Sequence, residues 1–130
     1  MAADDNDYKV VDATDTPDIT LDSDNRILKI KGSSYPENAV DIYSRVFEWL
    51  DRQDYSSPPN LKCEFYFNYL NSASRKIVYE ILVKLENIQR KYQCVSITWF
   101  HDEFDEDMYD FGDELSDLIK IPFEILSVAE

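Results

Sequence analysis

Six residues near the middle of this chain, Asn71-Ser72-Ala73-Ser74-Arg75-Lys76, carry its most usable chemistry. They stand between an apolar, strand-like run (residues 61–70) and a periodic stretch (residues 77–88) that predicts a helix. Ser72 therefore falls at or next to a helix N-terminus, where backbone N–H groups have no partner within the helix. A hydroxyl there has two uses. It can cap the helix, a role for which Asn71 and Ser74 compete. It can also accept a phosphoryl group, whose charge is favoured by the N–H groups and the positive end of the helix dipole. That modification adds a charge of about −1.5 to −2, which Arg75 and Lys76 stand close enough to temper.

Other reactive chemistry is thinly supplied. His101 is the only histidine, and a nucleophilic Ser or Cys needs a base within reach. Its place after a strand and before a charged loop predicts a surface or half-exposed structural residue. Cys63 and Cys94 lie in apolar, strand-like runs without CxxC spacing, which predicts buried free thiols. Two glycines, Gly32 and Gly112, cannot build a phosphate-binding loop. Asp102, Glu103, Asp105, Glu106 and Asp107 lack the alternation and central glycine of an EF-hand. They read as a solvated face, as dipole-favoured residues at a helix start, or as a surface for basic side chains of a partner; a weak cation site is the lesser alternative. No enzymatic activity, metal or cofactor is expected.

Charge narrows the partners. The net charge is −14, of which residues 1–24 carry −7 and residues 101–130 carry −10, around a centre of +3. Nucleic acid and anionic bilayers are disfavoured as main partners, and a protein with a basic patch is favoured. No signal peptide is apparent, and no window approaches the roughly 18 apolar residues of a membrane span. A cytoplasmic protein without membrane insertion is expected.

The elements follow from period and punctuation. Residues 1–17 are acidic and polar and predict a flexible N-terminus; residues 18–130 predict one domain. Ile19 and Leu21 suggest a first edge strand, paired as a hairpin with residues 27–30 across Asp24-Asn25. Pro36 and Glu37 suit the first turn of a helix bearing Val40, Tyr43, Val46, Phe47 and Leu50, with Trp49 on its flank. Residues 61–70 form the central strand. The next helix buries Val78, Ile81, Leu82, Leu85 and Ile88, with a Glu80–Lys84 pair outside. Residues 95–100 make a strand, and Met108, Phe111, Leu115, Leu118 and Ile119 make the stripe of a third helix. Gly112 within it marks either a close approach or an irregular turn. Residues 123–126 form a last strand. The order β-β-α-β-α-β-α-β predicts an α/β domain with a mixed sheet of four to five strands, three main helices, and one sheet face partly open.

Three segments give the chain a family likeness: Gly32-Ser33-Ser34-Tyr35-Pro36-Glu37-Asn38-Ala39, Tyr69-Leu70-Asn71-Ser72-Ala73-Ser74-Arg75-Lys76, and Trp99-Phe100 with Asp105-Glu106-Asp107-Met108. With their order and spacing, over roughly residues 18–127, the chain resembles the SiaC-like family of bacterial regulatory phosphoproteins, whose fold is similar to STAS anti-sigma-factor antagonists. The resemblance implies a STAS-like partner-switching protein. A serine/threonine kinase modifies a Thr or Ser in the middle motif, a PP2C-type phosphatase reverses it, and the unmodified form binds a target. In one branch that target is a GGDEF diguanylate cyclase, activated to make cyclic-di-GMP in biofilm control. Carried over, the modified residue is Ser72, where the family usually has Thr; Ala73 replaces a common Ser, and Ser74 remains a rival. The partner-binding residues implied are Tyr35, Pro36, Glu37, Asn38, Tyr69, Asn71, Ser74, Arg75, Asp105, Glu106, Asp107 and Met108, with Tyr66 a weaker candidate. The alternative is a structural or assembly module that binds its partners constitutively.

Overall fold

The computed structural model describes residues 8–10, 17–34 and 39–129. Its elements are β1 (Tyr8–Val10), β2 (Asp18–Asp22), β3 (Ile27–Ser34), α1 (Ala39–Arg52), β4 (Leu61–Leu70), α2 (Ser72–Tyr92), β5 (Val95–Asp102), α3 (Glu106–Leu118) and β6 (Phe123–Val128). The strands form one mixed sheet in chain order, β1-β2-β3-β4-β5-β6. Strands β1 to β3 are antiparallel, and β3 to β6 are parallel. The sheet thus has six strands rather than four or five. The added strand, β1, lies within the expected loose N-terminus and makes β2 an inner strand. Three residues flanked by acids carry too short an alternation to be read as a strand. The expected helix start at Pro36 and Glu37 lies outside the described residues.

Each parallel crossover steps one strand onward and never reverses. Right-handed crossovers in a constant direction deliver all three helices to one face of the sheet. The burial of β4 alternates accordingly, with Leu61, Cys63, Phe65 and Phe67 under the helices and Lys62, Glu64 and Tyr66 on the other side. On that open side Lys31, Tyr66, Phe100 and Leu126 stand in one cross-strand row. Doubly wound folds bind nucleotides where strand order reverses; this order supplies no such crevice.

The core centres on Trp99. Phe65, Phe67, Phe111 and Phe123 surround its ring at centroid distances of 5.7 to 6.4 Å. Its indole N–H donates to the Met108 carbonyl at 3.0 Å, tying α3 to β5. Gly112 is the residue that lets α3 close onto this ring. A Cβ there would stand 2.4 Å from Trp99 Cδ1, so close approach is its role.

Three expectations about the helices change. Trp49 is fully buried because its indole N–H reaches the Ser23 hydroxyl at 2.9 Å, turning α1 inward at the β2–β3 turn. Leu118, expected in the α3 stripe, is 60% exposed at the last residue of that helix. Lys84 pairs with Asp51 of α1 instead of Glu80 on its own helix. In the β2–β3 turn, Asn25 bonds the Asp22 carboxylate through both backbone and side-chain N–H groups, which holds that carboxyl below its usual range.

Candidate functional site

The C-terminal ends of the parallel strands gather the residues of interest. Ser34, the last residue of β3, lies opposite Leu70, the last residue of β4. The chain therefore leaves β3 directly beside the corner where β4 passes into α2. Tyr35, Pro36, Glu37 and Asn38 come next and lie outside the described residues. At the corner Leu70 is buried and anchors the turn. Asn71 then has extended backbone (φ −77°, ψ 175°), and its side-chain oxygen accepts from the Ser74 N–H at 2.8 Å. Asn71 is therefore the cap, as the preference for Asn at that position allows.

With Asn71 capping, Ser72 is the first helical residue and is exposed. Ser74 is fully buried. It was expected on the partner surface and as a rival for modification, and the helix register corrects both: the third residue of α2 turns inward onto the core. Arg75 is half-buried at the same corner. Its Nε–H donates to the Leu70 carbonyl at 3.3 Å, and its guanidinium carbon stands 4.8 Å from the centroid of Phe111 on α3. Lys76 is exposed.

The neighbouring corner, between β5 and α3, carries the acidic run. Asp105 caps α3, accepting from the Met108 N–H at 3.1 Å. Glu106 and Asp107 follow in the first turn, exposed and favoured by the dipole. Met108 was expected at a partner surface, but it is 2% exposed. Its side chain sits in the core and its carbonyl holds Trp99. Asp102 accepts from the Tyr66 hydroxyl and, at 3.3 Å, from the Asn68 amide, so it ties the ends of β4 and β5 together. These carboxylates thus have separate structural tasks around an open depression of about 770 Å³. Among the described residues no group of three or more His, Cys, Asp or Glu side chains could hold a metal ion.

Sequence reasoning missed two features here. Phe104, at the lip of the depression, is 89% exposed; a phenylalanine flanked on both sides by acids was the signal available. The contact between Arg75 and Phe111 joins residues far apart in sequence and left no local trace. Tyr69, three residues before Ser72 in the chain, is half exposed.

Nucleophilic chemistry has little support at this site. His101 is 7% exposed, more buried than expected, and its Nδ1–H donates to the Asp102 carbonyl at 2.8 Å while Tyr109 packs against its ring. Cys63 is free and buried, and burial pushes its thiol well above the usual range. Cys94 is free and half-buried.

Comparison with known proteins decides the family. The description "SiaC family regulatory phosphoprotein" matches residues 10–128. The chain belongs to the SiaC family. Members of this family are regulatory proteins rather than enzymes. An uncharacterised protein of Pseudomonas aeruginosa strain UCBPP-PA14 is 30% identical over 110 residues, covering 85% of this chain and 87% of that one. The crystal structure of apo-SiaC from Pseudomonas aeruginosa superposes with a TM-score of 0.84 at 27% identity, covering 93% of this chain and 98% of the other. A chain in the crystal structure of the diguanylate cyclase SiaD in complex with its activator SiaC, from the same organism, gives a TM-score of 0.86 at 28% identity. That match covers 94% of this chain and 100% of the other. No helix among the described residues is long and apolar enough to cross a membrane.

Proposed function

We propose that this SiaC-family chain is a phosphorylation-controlled adaptor that docks on a diguanylate cyclase when Ser72 is unmodified. The observation that carries the proposal is the division of labour at the start of α2. Asn71 caps, Ser74 is buried, and Ser72 is exposed. A kinase meets the Ser72 oxygen without unfolding the helix, and the added phosphoryl meets the N–H groups of the first turn. Helix and fold persist while the docking surface gains charge. The target assignment draws on the relative SiaC, which is named as the activator of SiaD.

The adaptor works in the cytoplasm between a serine/threonine kinase and a PP2C-type phosphatase. Tyr69, Arg75, Asp105, Glu106 and Asp107 supply the docking surface around Ser72, together with the segment Tyr35 to Asn38. In a pull-down with the cognate cyclase, Ser72→Ala captures as much target as the native chain and Ser72→Asp captures less. Equal capture by both variants contradicts the switch. Intact-mass measurement of protein from its own cells is the companion test: a fraction heavier by one phosphoryl, absent from Ser72→Ala, is expected.

A further inference from the structure

Arg75 occupies an electrostatically awkward position. It stands in the first turn of α2, which carries no acidic residue, at the positive end of the helix dipole. Its side chain runs back toward the helix start, where the guanidinium is held by a long hydrogen bond to the Leu70 carbonyl and by the face of Phe111. Both contacts are weak for a guanidinium. A neutral carbonyl at 3.3 Å lies beyond the usual N–H···O range, and a half-exposed cation–π contact is modest. Ser72 lies three residues earlier, on the neighbouring surface of the same turn.

We propose that Arg75 is the phosphate clamp of this switch: on modification of Ser72 its guanidinium leaves Phe111 and takes the phosphoryl oxygens, so that the signal reaches α3. This rests on the reading of Ser72 as the modified residue. A guanidinium–phosphate pair is charge-assisted and often bidentate, and it displaces a neutral carbonyl and a ring face. The exchange has a consequence away from the phosphate. Phe111 packs edge-on against Trp99 and sits within the strongly acidic α3. When Arg75 leaves, that ring loses its cover and α3 loses the positive charge packed against Phe111. One modification thereby alters two corners of the docking surface.

The spectroscopic test needs neither kinase nor target. Phosphoserine is installed at position 72 by genetic code expansion, in the native chain and in Arg75→Gln, and followed by phosphorus and proton–nitrogen NMR. The second ionisation of the phosphate is expected at lower pH in the native chain than in Arg75→Gln, by about half a unit. The Arg75 Nε–Hε resonance and the Phe111 ring protons are expected to move on modification of the native chain. In Arg75→Gln the Phe111 protons stay put on modification. An identical phosphate titration in both proteins overturns the clamp. Should Arg75→Gln fold poorly, an Nε–Hε resonance unchanged by modification of the native chain overturns it alone. Target capture separates the two proposals. Loss of capture with Arg75 unmoved removes the clamp and keeps the switch; movement of Arg75 with full capture removes the switch and keeps the clamp.

Discussion

Ser72 and Ser74 are two residues apart and chemically identical, yet Ser72 is exposed and Ser74 is buried. Helix register makes the difference, and register here is set by Asn71. Replacing Asn71 by Ala removes the side-chain acceptor of the Ser74 N–H and should cost about 1 kcal/mol of stability in a urea titration. An unchanged midpoint contradicts the capping role. The competition for the cap was visible in the residue types, but its winner was not, because Asn, Ser and Ser all suit the position. Gly112 was similarly half-legible. Its presence in a helix asked for a reason, and Trp99 supplies one only in three dimensions. Gly112→Ala should lose roughly 1–3 kcal/mol by overpacking the ring, with thermal unfolding as the readout; a neutral substitution contradicts the close approach. Iodoacetamide at pH 8 should label half-buried Cys94 and spare Cys63, whose burial keeps it a thiol.

The helices and long strands were legible because their apolar residues recur at clear periods. The stripe Val78, Ile81, Leu82 and Leu85 is buried as its spacing predicts. Errors arose where a distant partner sets the outcome. Trp49 turns inward for the Ser23 hydroxyl, Lys84 reaches Asp51, and β1 exists only by pairing with β2. The end of α2 shows the same limit. Gln93 closes that helix in the left-handed region (φ 54°, ψ 44°), donating its N–H to the Gln89 carbonyl at 2.8 Å. Glycine is the usual residue for this cap, and no local signal marks a glutamine for it. Gln93→Gly should therefore raise stability, by up to about 1 kcal/mol. A loss of stability in the same urea assay contradicts the strain at this cap.

The parallel strand ends bring the Ser72 corner and the acidic run to one rim of the molecule, with the helices on one sheet face and the other face open. The chain carries a net charge of −14, and Asp102, Glu103, Asp105, Glu106 and Asp107 stand together at this rim, so a target with a basic patch would be drawn to it over a distance that salt shortens. Association with the cyclase should slow as ionic strength rises, up to about tenfold across the physiological range, while a salt-insensitive rate contradicts electrostatic steering. The proposed switch turns on one oxygen atom on this rim, that of Ser72. Calorimetric titration of the cyclase with unmodified chain and with chain bearing phosphoserine at position 72 tests it most directly. Tight binding by the unmodified chain and binding at least about tenfold weaker by the phosphoserine form is the expected result; equal affinities contradict it.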